Sequence, residues 1–116
     1  MFDLVIRAAR TITPAGEAAR TVLIRDGRIA GIEPLDAVVD AREQILLSPE
    51  EVLLPGVVDS HVHICEPGNT EWEGFASATR AAAAGGITTL VDMPLDSEPV
   101  TVDVAALGTK RAAADG

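Results

Sequence analysis

The chain predicts a small all-β unit over residues 1–54 followed by an α/β unit over residues 55–116. Three observations carry that expectation. Short β-rich segments separated by turn residues fill the first half, with the hairpin signal Asp26-Gly27 between two of them. After Gly56, apolar strand-like runs alternate with alanine-rich helical stretches in the order β, α, β, α. That alternation builds a parallel sheet with crossover helices. A complete TIM-type (β/α)8 barrel takes about 250 residues. Only its first two β/α units fit here, so the expected fold is a truncated barrel: the amino-terminal portion of a larger protein.

In order, residues 2–8 alternate weakly and are β-rich, which predicts a first strand. Thr13-Pro14-Ala15-Gly16 reads as a turn. Residues 20–25 and 28–33 flank Asp26-Gly27 and form the predicted hairpin. Residues 34–42 are a polar connection containing Val38-Val39, and 45–47 and 51–54 predict two further short strands. This half contains no histidine or cysteine and only scattered carboxylates, so it reads as scaffold.

The chemistry is concentrated in residues 53–68, LLPGVVDSHVHICEPG. Residues 56–64 predict a buried strand that stops near Cys65. Side chains alternate faces along a strand, so Asp59, His61, His63 and Cys65 are expected on one face and Val58, Val62 and Ile64 on the other. Two neutral imidazoles on one face, two positions apart, can grip a zinc-like divalent ion. A bare His-x-His also arises by chance. These, however, are the only two histidines in the chain. They also lie at the C-terminal end of an apolar strand, where α/β barrels place their chemistry.

Asn69-Thr70 is expected to open a helix, with Thr70 and Glu73 as a capping box. Trp72 and Phe75 are expected to pack that helix against the sheet, and Gly85-Gly86 to end it. Residues 87–92 predict a second strand, 93–97 a loop, and 101–114 a helix starting at Val102 or Asp103 with Gly108 as its weak point.

Composition narrows the function classes. Of the 116 residues 47% are apolar and 23% charged, a globular balance. The net charge of −9 argues against nucleic acid and anionic membrane surfaces, which reward basic patches. No apolar run approaches the roughly 20 residues of a membrane helix. The start, MFDLVIR, lacks the layout of a signal peptide. A single cysteine excludes an internal disulfide and fits a reducing cytosol.

P-G-x-x-D-x-H-x-H, E-P-G, T-E-W-E-G-F, A-A-x-G-G-x-T-T and D-M-P-L stand in that order between Pro55 and Leu95. Together they resemble the cyclic amidohydrolases of the amidohydrolase superfamily, and the allantoinases most closely. The β-rich start resembles the small β-sandwich of those enzymes. The resemblance implies a cytoplasmic, homo-oligomeric hydrolase of ring amides with a binuclear divalent-metal site, expected to hold zinc in the complete enzyme, acting on a small allantoin-like substrate. It matches His61 and His63 to a metal-binding pair and Asp59 to a structural partner beside them. The bridging carboxylated lysine, the two further histidines and the catalytic aspartate of the family belong to later strands. Cys65 and Asp96 occupy loop positions where allantoinases tend to carry asparagine, which makes both substrate-binding candidates. Dihydroorotases carry at the first of these an arginine for the substrate carboxylate, a pairing cysteine cannot make. Dihydroorotase, a hydantoinase or dihydropyrimidinase-like hydrolase, and an inactive fragment or scaffold of the family remain the alternatives.

Overall fold

Backbone pairing in the first half is set by its turns. The hairpin of β2 (Gly16–Arg25) and β3 (Arg28–Pro34) closes through Asp26 at φ 52° and Gly27 at φ 69°. Positive φ at both central residues matches the right-handed twist of the flanking strands. β1 (Phe2–Thr13) lies antiparallel to β2, with a register shift between Ala8 and Thr11, and parallel to β4 (Ala41–Leu46) on its other side. The order is β3-β2-β1-β4. As the central strand, β1 supplies the fully buried Val5 and Ala8, and β2 adds Thr21, Val22 and Leu23. Residues 1–116 are all described in this computed structural model, which divides into two compact units, Met1–Pro55 and Gly56–Gly116.

The first unit forms one mixed four-stranded sheet, a β-rich part as expected. One expectation for it changes. Residues 51–54 form no strand. Leu53 makes a single parallel bridge to Thr11, donating its N–H to Arg10 O at 2.8 Å while its carbonyl accepts from Ile12 N–H at 2.9 Å.

Arg7 organises the connection after β3. Its guanidinium donates to Thr21 Oγ1 at 3.0 Å, to Leu35 O at 2.6 Å and to Ala37 O at 2.8 Å. Thr21 Oγ1 donates to the same Leu35 carbonyl at 3.0 Å. Arg7→Met leaves Ala37 O and part of Leu35 O without a donor, at an expected cost of about 1–3 kcal/mol in thermal or denaturant unfolding. A loss under about 0.5 kcal/mol would show that the connection is held by other means.

The second unit is a β-α-β-α chain. β5 (Val57–Val62) and β6 (Ile87–Asp92) pair in parallel, joined by α1 (Phe75–Ala84), and α2 (Val104–Ala114) follows. Helix α2 begins at Val104, just past the expected start at Val102 or Asp103, because Asp103 is its N-cap: Asp103 Oδ1 accepts the Ala106 N–H at 2.8 Å. Gly85 caps α1 and Gly86, at φ 77°, turns the chain into β6. The start of α1 differs from expectation. Residues 70–73 form turns, with Asn69 O accepting the Trp72 N–H at 2.9 Å. The helix begins only at Phe75, whose N–H is taken by the Glu66 carboxylate at 2.8 Å. Glu66, an acceptor distant in sequence, thus displaces the local Thr70–Glu73 box. Trp72 is consequently 87% exposed and does not pack on the sheet, while Phe75 is half-buried. β5 is shorter than expected and not buried: Val57 and Val58 are 52% and 58% exposed. A parallel strand is covered on both faces only when strands and helices flank it fully, and β5 pairs with β6 alone.

Candidate metal centre

The ladder between β5 and β6 runs to the pair Val62↔Asp92, with an irregularity after Asp59, and the Met93 N–H donates to Val62 O at 2.8 Å. Beyond Val62 the alternation of faces breaks, because Ile64 and Cys65 are both buried. His61, at the end of β5, and His63, just past it, nevertheless come together: their Nε2 atoms stand 3.1 Å apart, with ring centroids at 5.1 Å and planes tilted by 44°. His63 Nδ1 lies 2.6 Å from Asp96 Oδ2, and all three side chains are exposed. Asp96 holds φ 63° in the 93–97 loop, a backbone state that aspartate tolerates better than most residues.

The tautomer follows from that carboxylate. An acceptor on Nδ1 keeps the proton there and leaves the His63 Nε2 lone pair directed at His61. Two imidazole nitrogens on one tetrahedral zinc, each at about 2.0–2.1 Å, stand roughly 3.3 Å apart. The observed 3.1 Å separation fits that span with little adjustment. A carboxylate behind a ligating histidine is also the usual supporting arrangement at metal sites. The pair therefore suits a divalent ion, although no group of three or more His, Cys, Asp or Glu side chains gathers in ligand geometry.

The remaining sequence candidates fall into place around this pair. Asp59 Oδ1 accepts the His61 N–H at 3.1 Å, so its contact is with the backbone of the strand. Cys65 is 6% exposed; its thiol lies 3.9 Å from His63 O and its N–H donates to Glu73 O at 2.8 Å. Asp96 contacts His63.

Two residues at this end of the sheet escape a reading of the sequence. Asp92 Oδ1 accepts the Ile64 N–H at 2.8 Å, and Lys110 Nζ donates to Ile64 O at 2.7 Å and to Asp92 Oδ2 at 2.6 Å. A signal existed for the second. Lys110 is the only lysine in the chain, one helical turn beyond the buried Ala106 and on the same face of α2. A lone cation on the inward face of a helix asks for a buried partner.

A family model described as "Amidohydrolase family" matches residues 52–115. Similar curated proteins include the allantoinase of Streptomyces avermitilis, 54% identical over 109 residues, covering 94% of this chain and 24% of that protein. The allantoinase of Solibacter usitatus is 46% identical, covering 97% of this chain and 24% of its own. An Escherichia coli allantoinase is 42% identical, with 99% and 25% covered. Among solved structures, an L-hydantoinase (dihydropyrimidinase) from Arthrobacter aurescens superposes with a TM-score of 0.86 at 32% identity, over 98% of this chain and 25% of that one. The chain thus spans about a quarter of the length of the curated relatives it matches.

Proposed function

The chain belongs to the amidohydrolase family, and from that premise we propose that it forms the amino-terminal quarter of a metal-dependent cyclic amide hydrolase whose whole reaction opens allantoin to allantoate. The observation that carries the reading is the convergence of the two Nε2 atoms at 3.1 Å on the strand end that bears D-S-H-V-H. Identity of 42–54% to proteins named allantoinase supports the substrate class. In this reading β5 and β6 are the first two strands of a (β/α)8 barrel and residues 1–54 contribute to a small β-sandwich. The whole protein is a cytoplasmic homo-oligomer with a binuclear zinc site. No helix of the chain is long and apolar enough to cross a membrane.

Each residue then has a task. His61 and His63 hold the ion through Nε2. Asp96 accepts the Nδ1 proton of His63 and keeps that ring in the ligating tautomer, so we assign it positioning rather than substrate contact. Asp59 fixes the backbone at His61. Cys65 is buried with its thiol against the His63 carbonyl and so supports the backbone there. When bound, a divalent ion supplies Lewis-acid polarisation of the ring amide carbonyl.

A hydantoinase-type preference is the second reading, favoured by the TM-score of 0.86. A chimera distinguishes them, with residues 1–116 replacing the matching quarter of the Streptomyces avermitilis allantoinase. The zinc-loaded chimera should consume allantoin in preference to hydantoin and dihydropyrimidines. The reverse preference favours the second reading. A folded, zinc-loaded chimera inert toward all three would overturn both.

A further inference from the structure

We propose that Asp92 and Lys110 are the positioning pair of this metal centre, holding both backbone polar groups of Ile64 and so fixing where His63 presents Nε2. The inference rests on the metal-binding reading of His61 and His63.

Ile64 directly follows His63, and its N–H and C=O are taken by two different elements. Asp92, the last residue of β6, accepts the N–H at 2.8 Å, and Lys110, in the second turn of α2, donates to the C=O at 2.7 Å. The two side chains then meet at 2.6 Å, which closes a ring of three contacts around one peptide segment. Lys110 is 7% exposed, and its ammonium lies 5.7 Å from the centre of the Phe75 ring.

The ladder cannot do this work itself. Its backbone pairing ends at Val62↔Asp92, after an irregular stretch from Asp59. Past that point the Asp92 side chain takes the place of the next strand bond. Without it, the peptide between His63 and Ile64 loses its partner, while the peptide before His63 keeps the Met93 N–H on Val62 O at 2.8 Å, and ligand geometry tolerates only about 0.5 Å of misplacement. Stability is a poor account of the pair. Burying an ammonium and a carboxylate is costly, and apolar replacements of similar volume are often neutral or stabilising. Placement of a defined backbone segment is something an apolar pair could not provide.

The experiment uses the full chain with Zn²⁺ as probe. Because the chain holds only two histidines, a long-range proton–nitrogen spectrum of its imidazoles contains only those two rings. Zinc should shift both rings of the wild-type chain with one apparent Kd, and His61→Ala should remove that response. In Asp92→Leu/Lys110→Met, circular dichroism and the thermal midpoint should be retained while the zinc Kd rises about 10–100-fold, the range for lost supporting contacts at metal sites. A Kd within about twofold of wild type in the folded double variant overturns the positioning role and leaves the metal reading standing. Absence of any zinc response in the wild-type rings overturns both.

Should the double variant fail to fold, the wild-type chain still decides. Coupled equilibria are reciprocal, so an ion that depends on the clamp must also tighten it. Saturating zinc should slow hydrogen exchange of the Ile64 amide at least about 10-fold more than that of Ala82, which lies in α1 of the same unit. Equal slowing at the two amides overturns the proposal.

Discussion

His61→Ala and His63→Ala, each placed in the chimera with the Streptomyces avermitilis allantoinase, should abolish allantoin turnover and lower bound zinc by well over about 100-fold in affinity. That bound is set from below, since losing merely a supporting contact at a metal site costs about 10–100-fold. No other histidine in this segment can substitute. Asp96 supplies the internal scale. Asp96→Ala removes the acceptor at 2.6 Å from His63 Nδ1 but leaves both Nε2 ligands, so its loss should fall within that 10–100-fold range. Asp96→Asn keeps an oxygen acceptor and should fall between Asp96→Ala and wild type. Elemental analysis of bound zinc beside allantoin turnover gives the ranking. Full zinc occupancy and normal turnover in His61→Ala would show the 3.1 Å contact to be an ordinary imidazole hydrogen bond and remove the centre of the functional reading.

That His61 and His63 stand together was legible because strand alternation is local, and the two rings meet in the structure even though His63 lies one residue past the strand. The Asp26-Gly27 hairpin, β6, the Gly85-Gly86 stop and the start of α2 near Asp103 were legible because each depends on neighbours in sequence. What could not be read depends on residues distant in the chain. Glu66 reaches nine positions forward to start α1 at Phe75, and that overrides the Thr70–Glu73 signal and leaves Trp72 in solvent. Asp96 reaches His63 across 33 positions, and Lys110 reaches Ile64 across 46. The candidate ligands were thus readable from pattern, whereas the groups that hold them depend on tertiary contacts that no short motif encodes.

The second large effect is expected at Gly56, which directly precedes β5. The register passes from Val57↔Ile87 to Val58↔Thr89, so Thr88 is an extra residue in β6, bulged opposite the start of β5. Its side chain fills the space where a residue at 56 would carry a Cβ. That Cβ would stand 2.0 Å from Thr88 Oγ1, 2.4 Å from Thr88 Cγ2 and 2.7 Å from Thr88 Cβ. Rotating χ1 of Thr88 exchanges the first two atoms but does not move its Cβ, so no rotamer relieves the overlap and the backbone must shift. Overpacking typically costs 1–3 kcal/mol; with backbone displacement forced, Gly56→Ala should cost about 3 kcal/mol or more. The rescue series follows from the same distances. Thr88→Ala removes the two closest atoms and leaves the one at 2.7 Å, so it should restore part of the loss. Thr88→Gly removes all three and should restore more of the packing, less the roughly 1 kcal/mol that glycine costs within a strand. Because β5 carries His61 and ends beside His63, the shift should also separate the Nε2 atoms and weaken zinc binding, and both should recover in the same order. An unchanged unfolding midpoint in Gly56→Ala, or rescue absent from both Thr88 variants, would show that the two strand ends separate without cost and that the position of the histidine pair is set elsewhere.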